Sequence, residues 1–453
     1  MADEDSQRSK GHKSRGGRMT RFTPQGAAGT VARVLQENNH EAYFVGGCVR
    51  DTLLHRRVSD YDVATSAHPD TIETLFPKTI PVGKAFGVIM VRHGEFITEV
   101  ATFRKDVDYQ DGRHPTSVEF SDAKEDARRR DFTVNALFME PGSGKILDFV
   151  NGISDLSRRI IRTVGNPDER FQEDHLRTLR AVRFAARLQF SIEDKTAGAI
   201  RRTADQIKGV SVERVFAELD KMLTDEHAGD AIGPLVELGL MERVLPEVAE
   251  LFRRNPEVVE GMNLLDSVIS DFRWCRMWKS AVGFSLLMRH LGHLRYTETT
   301  PDPEDVAEWG ARSAGEILER LATSKALRSA VTEVIRMQPL ITGSSRFSLA
   351  DRKRLVMRPY FEEAIEVYRI SELTTGGTGL ERYLNLRDLG RTLRHDPPDF
   401  SSIFSGEDLI EMGLNPGPNF KGILHEMESA YLGGVVTTRD ELIALAKHRF
   451  QKK

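Results

Sequence analysis

The sequence predicts an α+β module at the N-terminus followed by a long all-α region. Three observations carry this. At 453 residues the chain exceeds what one hydrophobic core usually supports, so several modules are expected. Strand signals are confined to residues 23–150, and beyond Asn151 helical periodicity takes over.

In the first module "EAYFV" reads as a strand, "VRDTLLHR" as a short helix opening near Val49, and "SDYDVAT" as a strand. "HPDTIETLF" is a helix with Pro69 in its first turn, and "FGVIMVRHGEFITEVATFR" a hairpin turning at His93-Gly94. In the helical region "EDHLRTLRAVRFAARL" spaces Leu176, Leu179, Val182, Phe184 and Leu188 along one face, as "SVERVFAELDKML" does with Val212, Val215, Phe216, Leu219 and Met222. Pro397, Pro398, Pro416 and Pro418 break the last stretch into short helices.

Hydrophobic content of 40% is that of a folded chain. With 64 basic and 68 acidic residues the formal charge is -4, so overall charge does not select nucleic acid and local distribution must decide. Cys48 and Cys275 are the two cysteines, without metal-type spacing, which argues against structural zinc and for a reducing, cytoplasmic setting. No run reaches the roughly 18 apolar residues of a spanning helix, and the N-terminus lacks a signal-peptide core, so no membrane is expected. Residues 1–25 read as a disordered basic tail, or as an RNA-steering arm.

The period of a strand puts Asp60 and Asp62 on one face, with Tyr61 and Val63 turned into packing. Two such carboxylates suit Mg²⁺, although an isolated Asp-x-Asp is equally a solvated surface pair. Gly46 and Gly47 precede it at a strand end, where bare backbone can approach a phosphate. Arg50 and Asp51 are placed in the following helix's first turn, where Arg50 calls for a nearby anion. Glu99 is a third carboxylate on a neighbouring strand, or an exposed strand residue. In "RRRDFTVNALF" the basic run Arg128–Arg130 is followed by Asp131 and Asn135, four apart on one helical face among apolar neighbours.

Asp174 and Arg177, three apart, project side by side if they share a helix. Carboxylate and guanidinium then form an edge that accepts from an exocyclic amino group and donates to a ring nitrogen or carbonyl. Cytosine and adenine match that edge, whereas guanine and uracil leave it unpaired. Arg180, Arg183 and Arg187 continue the face and suit a triphosphate, or form a basic surface helix.

"GGCVRD", "DYD", "RRRDFTVNAL", "EDHLR" followed by "TLRAVRF", and "SVERVFAELDKML" resemble, in this order, the class II tRNA nucleotidyltransferase and bacterial poly(A) polymerase family. The resemblance covers most of residues 26–225. It continues through "FSGEDLIEMGLNPGPNFKGIL", which is similar to the C-terminal region of bacterial CCA-adding enzymes. It implies a polymerase-β-like nucleotidyltransferase head over 26–150. All-α parts follow: a neck over 151–225 for base recognition, a body over 226–375, and a tRNA-binding tail over 376–453.

By this resemblance Asp60 and Asp62 hold catalytic Mg²⁺, and Gly47 and Arg50 lie at the nucleotide phosphates. Arg130 binds nucleotide, with Asp131 and Asn135 grouped beside it. Asp174 and Arg177 read the base, and Arg180 and Arg183 contact the triphosphate. The implied activity adds C, C and A from CTP and ATP to a tRNA 3′ end without a nucleic-acid template, with no protein partner implied. A poly(A) polymerase or A-only enzyme is the alternative, and a non-catalytic RNA-binding protein a third. "YQDGRHPTSVEF" resembles a flexible loop absent from CC-adding enzymes. His395-Asp396, beside prolines, is poor context for the phosphohydrolase site of some relatives. Arg253, Arg254, Arg352, Lys353, Arg354, Lys421 and Lys447 are candidates for tRNA phosphates or plain solvated surface.

Overall fold

The structure, a computed structural model, describes residues 23–109, 115–254, 256–295 and 302–450. The basic N-terminal tail before Thr23 and the centre of the expected flexible loop, 110–114, lie outside the described residues. The chain divides into two compact units, one of Met1–Asp108 with Pro115–Leu156, the other of Tyr109–His114 with Ser157–Lys453.

In the first unit helix α1 (Pro24–Glu37) starts from Thr23, whose hydroxyl accepts from Gly26 N–H, with Pro24 in the first turn. Ala27, Ala28, Val31, Ala32 and Leu35 form its buried stripe. The strands are β1 (Ala42–Val45), β2 (Asp62–Thr65), β3 (Thr79–Ile80), β4 (Val88–His93), β5 (Phe96–Thr102), β6 (Arg104–Tyr109), β7 (Pro115–Phe120), β8 (Leu137–Met139) and β9 (Ile146–Asp148). Among the described residues β3-β4-β5-β2-β1-β8-β9 form one sheet, in which only β2 and β5 pair in parallel, while β6 and β7 make a separate ribbon. Central β2 buries Val63, Ala64 and Thr65 consecutively, as a strand covered on both faces must. The hairpin turns at Gly94, whose φ of +64° suits glycine, with His93 opposite Phe96.

Helices α2 (Gly47–Leu53), α3 (Pro69–Leu75) and α4 (Ala123–Arg128) fill the connections. Two expectations need correction. Helix α2 opens at Gly47 rather than near Val49, so Arg50 and Asp51 fall beyond its first turn. Strand β2 begins at Asp62 and Asp60 lies ahead of it, because consecutive burial of Val63–Thr65 fixes the paired segment.

The second unit is mostly helical. After α5 (Gly152–Arg158), which straddles the boundary, come α6 (Pro167–Glu173), α7 (Arg177–Leu188), α8 (Asp194–Thr203) and α9 (Val212–Leu223). The all-α expectation is corrected by two short strand pairs, Ile160–Ile161 with Ser191–Ile192 and Glu257–Val259 with Met262–Asn263. Leu176 at the N-cap of α7 and the four periodic apolar residues on it are all buried, whereas Val212 at the start of α9 is 38% exposed. The prolines act as expected: helix Leu380–His395 stops before them, and short helices follow. Phe404, Leu409, Ile423, Met427, Val436, Leu442 and Ala446 give the last of these a core of their own.

Candidate active site

Strand register builds the head site. β1 sets Val45 opposite Asp62 on one side and opposite Phe138 on the other. The next residue, Gly46, donates its N–H to Leu137 carbonyl at 3.1 Å. β5 sets Val100 beside Val63, which brings Glu99 alongside Asp62. The chain therefore turns at Gly46 directly between the carboxylates and the 130–138 segment.

Gly46 has φ +76°, and a Cβ there would meet Arg130 Nη1 at 3.4 Å and Asn135 carbonyl oxygen at 3.6 Å. Glycine is favoured by the positive φ, the two neighbours standing at ordinary contact distance. Arg50 is only 3% exposed. It donates from Nη1 to Asn135 Oδ1 at 2.5 Å and from Nε to Asp51 Oδ1 at 2.8 Å. The anion that Arg50 called for is thus supplied in part by its own neighbour. Asn135 in turn donates to Asp131 Oδ1 at 3.2 Å. These two residues do not share an α-helix, since α4 ends at Arg128 and only a 3₁₀ turn spans Thr133–Asn135. A side-chain hydrogen bond joins them instead.

Arg130 is held by Asp126, which accepts from Nε at 3.2 Å and Nη2 at 2.9 Å. Its guanidinium lies 5.4 Å from the centre of the Phe138 ring. Asp126 also accepts from Arg129 at 2.8 Å and is 1% exposed. Burial works against this carboxylate, yet Arg130 and Arg129 hold it below the ordinary carboxyl range. The sequence signal was present in the spacings of three and four from Asp126 to the two arginines, but a basic run drew attention away from its acid.

Burial, then the like charge of Glu99, push Asp62 up to about 6; Arg130 opposes and Asp60 adds to the rise. A half-buried site where carboxylates repel one another is a site that gains from a cation. Among the described residues no three His, Cys, Asp or Glu side chains are arranged to hold an ion. A pair of carboxylates still fits Mg²⁺, which takes its remaining oxygens from water and substrate phosphates.

In the helical unit, taken by itself, Asp174 and Arg177 do not share a helix. Helix α6 stops at Glu173 and α7 starts at Arg177, with Asp174 extended between them (φ -149°, ψ 103°). Asp174 accepts from Leu176 N–H at 3.1 Å and pairs with Arg214 at 2.7 Å. Arg177 Nη1 donates to Glu173 Oε2 at 2.6 Å and to Arg170 carbonyl at 3.0 Å. Both sides of the expected edge are therefore fixed by third parties. Arg183 donates to the buried Glu218 at 2.6 Å, Arg180 lies 3.7 Å from the same carboxylate, and both guanidiniums sit over Phe184. Arg214 and Glu218 were missed, because apolar spacing alone was read from their helix.

Residues 42–162 match the model of the poly A polymerase head domain, and 189–252 that of a probable RNA and SrmB-binding site of polymerase A. The CCA-adding enzyme of Oceanobacillus iheyensis is 42% identical over 267 residues, 56% of this chain and 66% of the relative. That of Bacillus subtilis is 45% identical over 215 residues, 47% of this chain and 54% of the relative. The crystal structure of the Bacillus stearothermophilus CCA-adding enzyme in complex with CTP superposes with a TM-score of 0.76 at 29% identity, covering 94% of this chain and 98% of that one.

Over these segments the chain is similar to the class II tRNA nucleotidyltransferase and bacterial poly(A) polymerase family.

These alignments with curated members of the family span 54% to 66% of the members' own length. Chemistry in the nucleotidyltransferase family is metal-dependent in general, in keeping with the carboxylates at β2. Among the described residues no helix is long and apolar enough to cross a membrane. His395 ends a helix and Asp396 caps it, belonging to no metal-holding group of described residues.

Proposed function

We propose that this protein is a CCA-adding tRNA nucleotidyltransferase, which extends a tRNA 3′ end with C, C and A from CTP and ATP without a nucleic-acid template. The observation that carries the proposal is the grouping of Asp60 and Glu99 around Asp62, with Arg130 and the Gly46-Gly47 turn beside them, at the central strands of the head sheet. The curated relatives named CCA-adding enzyme support it.

Asp60 and Asp62 would hold Mg²⁺, with the negative charge of Glu99 favouring its retention. When bound, Mg²⁺ favours loss of the proton from the terminal 3′-hydroxyl and offsets charge on the departing pyrophosphate. The chain's own residues orient the nucleotide. Gly46 and Gly47 admit phosphate close to the backbone, and Arg130 supplies a cation whose direction Asp126 sets. Arg50, Asn135 and Asp131 brace the turn from behind. In the neck Asp174 and Arg177 read the base, Arg214 and Glu173 fixing their orientation, and Arg180 and Arg183 contact the triphosphate. The finer division into neck 151–225, body 226–375 and tRNA-binding tail 376–453 belongs to this reading, as does a cytoplasmic location.

The test is to sequence RNA 3′ ends after incubating the protein with Mg²⁺, CTP and ATP. One tRNA lacks all of CCA, a second lacks only A, and a third RNA is unrelated. Extension of the first by CCA, stopping after A, is expected. Extension only of the second, or long A tails on the unrelated RNA, overturns the reading in favour of an A-adding enzyme or a poly(A) polymerase.

A further inference from the structure

A cleft in the helical unit carries chemistry that the proposed reaction does not use. It lies between helix Lys325–Gly343 and helix Leu380–His395. Two cavities of about 330 and 740 Å³ share Ser345 and Arg382 in their walls. Arg352 lines the smaller, and Arg289 and Arg346 line the larger. Four guanidiniums thus face one cleft, and none can shed its proton.

Their partners are few. Arg289 donates to Asp271 at 2.7 Å and Arg382 to Tyr368 hydroxyl at 2.6 Å. Among the described residues the side chains of Arg346 and Arg352 make no hydrogen bond or ion pair. The Nε atoms of Arg289, Arg352 and Arg382 are shut off from solvent with no acceptor. A buried donor normally has a partner, and three of the arginines with an unpartnered Nε lie around this one cleft. Gly379, at the N-cap of helix Leu380–His395, lines the cleft, but its N–H is taken by Glu372 Oε2 at 2.6 Å, so it adds no free donor. Glu381, exposed on the rim of the smaller cavity, is the acid on that wall. Asp271 is already taken by Arg289.

We propose that this cleft binds a phosphate group, held by Arg346, Arg352 and Arg382. A phosphate presents several acceptor oxygens to donors arriving from different directions, and planar guanidiniums engage it bidentately. The group belongs either to a free anion such as phosphate or pyrophosphate, or to an RNA backbone. The inference does not rest on the reading of the head and can fail independently of it.

The test compares the full-length protein with its Arg346→Gln/Arg352→Gln variant. Neither side chain makes an ion pair, so the fold is expected to survive, as its melting temperature in chloride would verify. Thermal unfolding is followed by tryptophan fluorescence, all three tryptophans (Trp274, Trp278 and Trp309) lying in the helical unit. Inorganic phosphate and pyrophosphate are each titrated against chloride at equal ionic strength. Saturable stabilisation is expected for the unmodified protein, with an apparent affinity lower on the order of tenfold per lost guanidinium in the variant. Any phosphate response of the head is common to both proteins and cancels.

Binding of tRNA across a salt series separates the two sources. Weaker binding by the variant, with a shallower salt slope, assigns the phosphate to RNA. Unchanged tRNA binding with a lost phosphate response assigns it to a free anion. Identical phosphate responses together with identical tRNA binding overturn the proposal.

Discussion

Asp126→Asn tests whether Arg130 acts through the direction in which it is held. The native carboxylate, 1% exposed, satisfies Arg130 through two donors and Arg129 through a third. Breaking a buried ion pair costs about 3–5 kcal/mol. The two arginine side chains are each 18% exposed and recover part of this by hydration, and asparagine keeps one acceptor oxygen. A net loss of about 2–3 kcal/mol remains, of which roughly 1.5 kcal/mol falls on Arg130. That share corresponds to a rise of about tenfold in KM for CTP and ATP. The value of kcat changes less, because phosphate binding away from the reacting bond is shared by ground and transition states. Steady-state kinetics on a tRNA lacking CCA reads the split. The head has no tryptophan, so its integrity is followed by hydrogen exchange over residues 42–53 and 123–139. An unchanged KM for both nucleotides, with the head folded, would refute the positioning argument.

Asp60→Ala is expected to abolish addition of both C and A while tRNA binding persists in a filter assay; retained turnover sinks the metal assignment. Asp174→Ala, which releases Arg214 from its 2.7 Å pair, is expected to relax base choice more than RNA affinity, measured as the ratio of CTP to UTP incorporation; an unaltered ratio counts against base reading. Asp271 and Arg289, with side chains 0% and 7% exposed, form a pair in which burial raises the Asp271 carboxyl despite the arginine. Arg289→Met alone should cost about 3–5 kcal/mol in urea unfolding followed by tryptophan fluorescence, and the double change Asp271→Leu/Arg289→Met far less than the sum. Burial, then Arg289 and His293, hold His290 well below 6.5, so its folded value lies below its unfolded one. The helical unit should therefore keep this contribution above about pH 6.5 and lose it as pH falls, and a melting temperature flat from pH 7 to pH 5 contradicts it.

Much of the head was legible because its signals are local. Strand β1, helix α3 with Pro69, and the hairpin at Gly94 each follow from a few adjacent residues. The site formed from elements already identified once register was known, since Val45 opposite both Asp62 and Phe138 fixes where Gly46 turns. What the sequence withheld was the register itself. It is set by burial on both faces of β2, and the apolar run Val63–Ala64 followed by Thr65 does not announce which neighbour covers which face.

Asp174 and Arg177 show how a spacing argument depends on backbone continuity. Spacing by three implies adjacency only along an unbroken helix, and the chain breaks at Asp174. The helical pattern read across that break survived because Leu176 and Leu179 are buried on either side of the α7 start. Apolar periodicity reports which residues face a core, not whether the backbone between them is continuous. The polar partners are less visible still. Arg214 lies forty positions from Asp174 and Glu218 thirty-five from Arg183, so no window matched to helix periodicity contains both members. Yet each was inferable in kind. A carboxylate or guanidinium buried beside a functional face needs a counter-charge, and α9 supplies one of each sign, four residues apart, at Arg214 and Glu218. That spacing of four places the counter-charges on the same side of α9 as Val215 and Leu219, which are buried. The face of α9 that is buried is also the one that holds the side chains of Asp174 and Arg183 in place.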